Sequence, residues 1–410
     1  MAHPGNHSFR NTALLVFALG SFTSAAYGSG YGVFTQGADA LGQANAVIAH
    51  GDGPSAAYFN PAQITGLPGT QIEFGATLIF PTRAYRAPDG VTYETQESVL
   101  IPPTTLYLTH AFTDKLSGSF AVFNPFGLST DWGSAWPGRY LTTKANMTTF
   151  TLNPSVAYRI LPNFSLAAGF DLVFLSATLK SVVPSALLGV PGPLFDIPQK
   201  FSGSGNGVGF NFGALYDFTD QLSLGIAYRS QVVISVGGNY YNDVSPAVGA
   251  MASASVTLPQ QLTAGIAYRP IKPLVVEVGV RWEDWAAFKN LTVQIPGVTA
   301  SVYPREWHGT AAITAGGKYR INDTFSAMLG YLFGWNPVPN STFEPSIPDS
   351  NSNLFCIGGE ANLDRLKIAL AYAYQLQVDR TKSTNRHGLY ANGSYSSNLN
   401  MVSMSFAYRF

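Results

Sequence analysis

From Thr70 onward the chain alternates with a period of two, and this limits its fold more than any other feature. Over residues 72–78 the apolar side chains Ile72, Phe74, Ala76 and Leu78 fall on even numbers, while Glu73, Gly75 and Thr77 fall on odd ones. Over 164–172, Phe164, Leu166, Phe170 and Leu172 share one face and Ser165, Gly169 and Asp171 the other. Residues 325–331 and 366–372 repeat the pattern. Alternation over eight or more residues marks strands with one apolar face. The second face is small and hydrated, rich in Gly, Ala, Ser and Thr. About 14 such segments occur, near 70–82, 99–112, 116–124, 147–161, 164–181, 203–218, 221–238, 255–270, 273–286, 308–321, 324–334, 354–362, 366–380 and 399–410. Most exceed the roughly 9–11 residues that a tilted strand needs to cross a bilayer.

The connections alternate in length. Short turns fall at 113–115, 161–163, 219–221, 270–273, 322–323 and 364–365; long loops fall at 83–98, 125–146, 182–202, 239–254, 287–307, 335–353 and 381–398. Six short turns and seven long loops give an even strand count with both ends on the short-turn side. Short turns on one side and long loops on the other is the layout of an outer-membrane barrel. Closure also pairs every backbone group, which an open sheet edge in lipid could not do. The expected fold is all-β: a 14-stranded antiparallel transmembrane barrel. The tripeptide Ala-Tyr-Arg recurs at 157–159, 267–269 and 407–409, with Lys318-Tyr319-Arg320 as a variant. Tyr158, Tyr268, Tyr319 and Tyr408 then form an aromatic girdle at the periplasmic interface.

Composition agrees. Only 11% of the 410 residues are charged, with Lys+Arg and Asp+Glu at 23 each. Soluble domains carry about 25% charge. No apolar run of 18 or more follows the first 30 residues, which excludes a helical membrane bundle. The neutral balance gives no basic patch for nucleic acid. The single Cys356 excludes an internal disulfide framework and a Cys-rich zinc site.

The N-terminus reads as two further segments. Residues 1–28 have the form of a secretory signal: Arg10, an apolar core over 12–26, and small residues before a cleavage point after Gly28, with Ala26 the second choice. Residues 29–68 are Gly-rich, apolar and nearly uncharged, which suits burial against other backbone. The stretch 51–66 has too many glycines and prolines for a regular element interior. It is expected to be a plug, or hatch, inside the barrel made by 69–410, with Asn60-Pro61-Ala62 its most distinctive part.

Catalytic signatures are absent. The six histidines are scattered, no His/Cys/Glu group has metal-ligand spacing, and no Gly-x-Ser-x-Gly elbow occurs. The glycines of 203–209 open a strand, so no helix N-terminus would hold a phosphate there. The chain is expected to be no enzyme and to use no cofactor or metal.

Several stretches together resemble the FadL/TodX family of outer-membrane channels for hydrophobic compounds. They are Asn60-Pro61-Ala62, then 126–132 (FGLSTDW), Trp282 to Trp285 with Phe288, Asn336-Pro337-Val338-Pro339, and Ile347-Pro348-Asp349. Each is weak alone; their order is fairly specific. The resemblance implies a 14-stranded barrel with an N-terminal hatch, ligand capture by extracellular loops, an apolar pocket, and lateral exit at a kinked third strand. It maps the family's gate motif to Asn60, Pro61 and Ala62. The third segment ends at Asn124-Pro125, and a proline cannot donate to a ladder.

Long-chain fatty acids are the leading substrate class. Aromatic hydrocarbons are the main alternative; a barrel lipase or a structural barrel with a closed plug are lesser ones. Phe126, Leu128, Trp132 and Trp136 are candidates for an apolar collecting groove. Arg139, Lys180, Arg229, Arg281 and Lys318 are candidate partners for a carboxylate head group, and Glu73, Asp171, Glu277, Glu283 and Glu360 are the acids facing the lumen. Expected partners are the hydrophobic ligand, outer-membrane lipid, and the barrel assembly machinery through the terminal Phe410, with the protein monomeric in the outer membrane of a Gram-negative bacterium.

Overall fold

The computed structural model describes residues 30–97, 104–185, 195–242, 250–295 and 300–410. The expected signal segment 1–28, and part of the second expected strand, lie outside these residues. Fourteen antiparallel strands follow one another around a closed barrel: β1 (Thr70–Arg86), β2 (Thr105–Ala111), β3 in two pieces (Leu116–Phe123 and Gly127–Asp131), β4 (Lys144–Leu161), β5 (Phe164–Pro184), β6 (Asp196–Thr219), β7 in two pieces (Leu222–Arg229 and Val232–Asn242), β8 in two pieces (Ala250–Leu258 and Gln261–Ile271), β9 (Leu274–Glu283), β10 (Thr310–Arg320), β11 (Phe325–Gly334), β12 (Ser352–Leu363), β13 (Leu366–Gln377) and β14 (Gly393–Arg409). β14 pairs with β1 from Gln71↔Arg409 to Arg86↔Ser394, which closes the barrel. The last residue is tied in as well: Phe410 N–H donates to Thr70 O at 3.0 Å.

The period of two sets the two faces. On β1, Phe74 and Leu78 point outward and are about half exposed, while Glu73 and Thr77 are buried inside. On β5, Phe170 is exposed and Asp171 is 1% exposed. Tyr158, Tyr268, Tyr319 and Tyr408 all lie exposed on the outer face near the short-turn end.

Residues 30–67 fill the interior. They form a short helix α1 (Ala38–Gly42), a second α2 (Ala56–Phe59) and a 3-10 turn (Pro61–Gly66). Most of this segment is buried, including its polar residues Gln36, Gln43, Asn60 and Gln63. It approaches the wall closely where the wall has no side chain. A Cβ on Gly225 of β7 would collide with Ile48 O, and one on Gly316 of β10 with Gln43 O.

Charged residues then fix the segment to the wall. Glu277 of β9 accepts hydrogen bonds from Ile48 N (2.6 Å), Ala49 N (2.8 Å) and His50 Nδ1 (2.8 Å). Lys318 of β10 bonds Asp52 and Glu360 of β12, each at 2.7 Å, and Lys367 of β13 reaches Asp52 at 2.9 Å. Glu73 of β1 accepts from Ser55 N at 3.0 Å. A buried pair is weak evidence for net stability, but removing one partner typically costs about 3–5 kcal/mol. The network therefore specifies where the segment sits.

Candidate functional site

β3 is interrupted at 124–126, where its pairing with β4 pauses between Phe123↔Thr151 and Gly127↔Thr148. Pro125 has no N–H to give a ladder. The start of the interior segment supplies partners instead. Val33 N–H donates to Pro125 O (2.9 Å) and Gly127 N–H to Tyr31 O (3.0 Å). Gln36 donates from Nε2 to Asn124 O (2.6 Å) and accepts from Asn124 N at Oε1 (3.2 Å). Tyr107 Oη–H donates to Gln36 O (2.6 Å). Residues 30–36 thus form a strap across the break. Its far end is held by a loop: Gly30 N–H donates to Asp349 Oδ2 at 2.7 Å.

β1 flanks the break. It pairs with β2 over 70–75 and with the short loop strand Thr92–Glu94 over 84–86. Between these, at 76–83, its described strand partner is β14 alone. A cavity of about 520 Å³ lies here, lined by both β1 (Ile79, Arg83) and β3 (Phe126, Leu128), with Met147, Leu399 and Met401 completing an apolar wall. That size is within the range of small-molecule sites. Its polar residues include Arg83, Asp349, Gln375 and Gln377. Arg83 donates from Nη1 to Ser129 O at 2.8 Å, which leaves most of its guanidinium hydrogens for another acceptor. Burial pushes the Asp349 carboxyl up to about 7, against the pull of the Gly30 N–H and Arg380.

A second, narrower cavity of about 50 Å³ lies deeper, between Phe34, Ile48, Phe59 and Pro61 of the interior segment and Arg229, Gln261 and Arg281 of the wall. Arg229 is paired with Asp171 and lies over the Tyr58 and Phe123 rings. Arg281 lies over the Phe34 ring at 4.6 Å and is 3.2 Å from Glu283 Oε1, yet its Nε and Nη2 hydrogens meet no acceptor in bonding geometry among the described residues.

The structure separates the sequence candidates. Phe126 and Leu128 line the large cavity. Trp132 and Trp136 do not. They stack on each other at 4.7 Å inside the loop core, and their indole N–H groups donate to Pro345 O and Thr142 O. Arg139 is bound to Asp196 at 2.6 Å on the loops. Lys180 belongs to the outward set of β5 (Leu166, Ala168, Phe170), so it does not face the lumen. Lys318 faces inward as its parity requires, but it is paired with Asp52 and Glu360, away from the cavity beside β3. Arg83 lies one residue beyond the expected end of the first strand at 82, and extending the odd parity of that strand by one residue places it inside the barrel.

The Asn60-Pro61-Ala62 motif is a structural clasp. Asn60 is fully buried. It donates to Ile48 O and to Ala214 O of β6, both at 2.9 Å, and accepts from Ala62 N at 3.2 Å, capping the turn that Pro61 opens. Ala62 shares a buried cluster with Tyr107, Ala121 and Phe123, the last residue before the break in β3.

A family model described as "Outer membrane protein transport protein (OMPP1/FadL/TodX)" matches residues 19–410. The chain belongs to this family. It is therefore an outer-membrane transport protein of a Gram-negative bacterium, and the family's members carry hydrophobic compounds. This FadL-family chain is 26% identical over 372 residues to the 47 kDa outer membrane protein of Pasteurella multocida, covering 84% of this chain and 86% of that one. It is 24% identical to the long-chain fatty acid transport protein of Escherichia coli O6:H1, over 71% of this chain and 74% of that one. Among solved structures, a Pseudomonas aeruginosa FadL homologue superposes with a TM-score of 0.84 at 20% identity, covering 93% and 100% of the two chains. The Pseudomonas putida toluene transporter TodX gives 0.71 at 16% identity, covering 91% and 98%.

Proposed function

We propose that this protein carries long-chain fatty acids passively across the outer membrane, and that the 520 Å³ cavity beside the break in β3 receives them. The observation that carries this reading is the cavity's make-up: apolar walls from Ile79, Phe126, Leu128, Met147 and Met401, with the Arg83 guanidinium among them. The walls suit an acyl chain and the cation suits its carboxylate. Arg281, with unfilled N–H groups behind Phe34, is the next cation inward. Relatives named as long-chain fatty acid transport proteins support the substrate class.

Residues 30–68 act as the hatch, and the strap 30–36 as the part that must move for a ligand to leave beside β3. Lateral delivery is favoured by energy. A C18 chain has about 16 methylenes, and exposing them to water costs on the order of 10 kcal/mol at about 0.8 kcal/mol each. A route into bilayer lipid avoids most of this. The reading includes no catalytic step and takes the protein as a monomer. The leader 1–28 is removed after Gly28, and Phe410 is the mark read by the assembly machinery.

The test is uptake of labelled oleate and of toluene by cells expressing wild type, Arg83→Gln or Arg281→Gln at equal levels of folded barrel. Oleate uptake falls about tenfold in Arg83→Gln, as expected for one charge-assisted bond of about 1.5 kcal/mol, and toluene uptake is unchanged. Equal loss for both ligands, or none for either, removes the head-group role. Gene-dependent toluene uptake without oleate uptake would move the assignment to aromatic hydrocarbons.

A further inference from the structure

The outer face of the barrel carries a charge arrangement that the transport path does not use. Cross-strand pairing sets Asp131 of β3 opposite Lys144 of β4, Lys144 opposite Lys180 of β5, Lys180 opposite Lys200 of β6, and Lys200 opposite Tyr241 of β7. The register is unbroken from this row down to Phe170↔Phe210, so the faces follow by parity. On β4 the buried residues Ala145, Met147, Thr149 and Thr151 are odd, which puts Lys144 outward. Lys180 shares its face with Phe170, Lys200 with Phe210 and Phe212, and Tyr241 is itself exposed.

One of the three lysines is neutralised: Lys144 Nζ is 2.8 Å from Asp131. Lys180 and Lys200 have no carboxylate partner among the described residues. Lys200 lies over the Tyr241 ring at 5.9 Å. Like charges on directly opposed strand residues destabilise a sheet. In the described ladders, lysines or arginines oppose each other at these two steps and nowhere else. An anion between Lys180 and Lys200 would turn the repulsion into attraction.

The height of the row identifies the anion's source. Phe174 of β5, stacked on Phe150 of β4 at 4.6 Å, is the last outward aromatic before Ser176, Thr178 and Lys180. A strand rising about 3.3 Å per residue and tilted about 40° gains about 2.5 Å of height per residue. Leu166 pairs with Tyr158 of the periplasmic girdle, and Lys180 lies 14 residues or about 35 Å above it, past the roughly 30 Å hydrocarbon core and into the outer-leaflet head-group layer. In a Gram-negative outer membrane those head groups are the phosphorylated glucosamines of lipid A. The outward residues beneath the row, Phe150, Phe174, Val208 and Phe210, face the acyl chains of the same lipid.

We propose that Lys180 and Lys200, flanked by Tyr241 and by the Lys144–Asp131 pair, form a docking site for a lipid A phosphate. Directly opposed residues have Cβ atoms about 5 Å apart, so both ammonium groups reach one phosphate with charge-assisted bonds. The site holds one lipid molecule against β3–β6, the sector of wall that contains the interrupted strand.

The experiment uses the purified full chain in detergent, as wild type, K180Q/K200Q and K180R/K200R. Heat-modified gel mobility checks that each barrel is folded. Diphosphoryl lipid A, fully dephosphorylated lipid A and inorganic phosphate are the probes, read by native mass spectrometry and by competition. Each lysine near a charged membrane surface contributes about fivefold in affinity, so K180Q/K200Q binds diphosphoryl lipid A about 25-fold more weakly. K180R/K200R retains binding, and dephosphorylated lipid A binds all three proteins equally and weakly. Equal binding of diphosphoryl lipid A by wild type and K180Q/K200Q overturns the proposal. Complete displacement by millimolar inorganic phosphate also overturns it, because the site would then recognise a free anion rather than a lipid.

Discussion

Glu277→Gln should loosen the hatch while leaving the barrel folded. Glu277 is 1% exposed and serves three donors of the interior segment: Ile48 N, Ala49 N and His50 Nδ1. A glutamine keeps one carbonyl oxygen, enough for one of the two backbone N–H groups. Its NH2 then faces the other, and His50 loses its carboxylate. Two of three bonds to a charged acceptor are lost, at about 1.5–3 kcal/mol each, or about 3–6 kcal/mol in all. The opening constant of this turn then rises at least about 100-fold. The backbone ladders of β9 with β8 and β10 do not involve the Glu277 side chain. Amide hydrogen exchange of the protein in lipid nanodiscs reads both. Ile48, Ala49 and their neighbours over 43–51 exchange at least about 100-fold faster in the variant, while amides over 274–283 do not change. Unchanged protection over 43–51 would show that Glu277 is not an anchor, and the account of how the hatch is held would fail. Loss of protection throughout β9 would refute the separation of hatch stability from barrel stability.

The Asp349 carboxyl, raised by burial from its ordinary value near 4 to about 7, binds its proton more tightly in the folded protein. The folded state then carries more protons between about pH 4 and 7, so the burial of this loop is firmest below pH 4 and weakens as pH rises to about 7, with the Gly30 N–H bond, which favours the ionised carboxylate, offsetting part of the loss. Exchange at 345–351, corrected for its intrinsic pH dependence, should accelerate across that window in wild type and stay flat in Asp349→Asn. Asn60→Ala with Pro61→Ala leaves Ile48 O and Ala214 O without their donor and removes the cap on Ala62 N; oleate uptake falls while heat-modified gel mobility stays normal. Gly213→Ala places a Cβ against Asn60 Oδ1 and Ala62 N, so it should reproduce that phenotype from the wall side; normal uptake would separate the clasp from transport. Removing Phe410 deletes a side chain that is 68% exposed and one backbone bond to Thr70; folded barrel per cell should drop severalfold, while the purified, refolded protein keeps its melting temperature within a few degrees.

Alternation located the strands well because each crosses an apolar slab and shows it one face. It placed the ends at the long-loop side poorly. β1 runs to Arg86 and β14 begins at Gly393, beyond the expected 82 and 399, because the ladder continues above the apolar band, where outward residues such as Thr82 and Ser396 no longer alternate in hydropathy. Arg83 lies within that extension. Lys180 is the reverse case: its place beside a loop makes it a candidate ligand partner, whereas counting parity from Phe170 makes it outward. Lys318 was placed in the lumen correctly by parity. Its partner Asp52 is 266 positions away, in a segment with no regular period, so nothing local could pair them. The strap is hidden for another reason. Its links to Asn124, Pro125 and Gly127 use backbone groups, apart from Gln36, and side-chain patterns do not record backbone bonds.

The two ways of holding the interior segment divide it by strength. Residues 39–55 meet charge on β1, β9, β10 and β13 through Glu73, Glu277, Lys318 and Lys367. Charge-assisted bonds of this kind are roughly twice as strong as neutral ones. Residues 30–36 meet β3 through neutral amide bonds of about 1 kcal/mol net each, plus the bond from Gly30 to Asp349. A ligand chain burying three or four methylenes gains about 3 kcal/mol, comparable to a few of those strap bonds and well below the cost of breaking the charged anchors. On the proposed route, a hydrophobic ligand in the 520 Å³ cavity would displace the strap from β3 without dislodging the hatch. The charges that look out of place in a conduit for apolar molecules then have a physical role. On the proposed lateral route they would hold the interior segment in place while the path beside β3 opens.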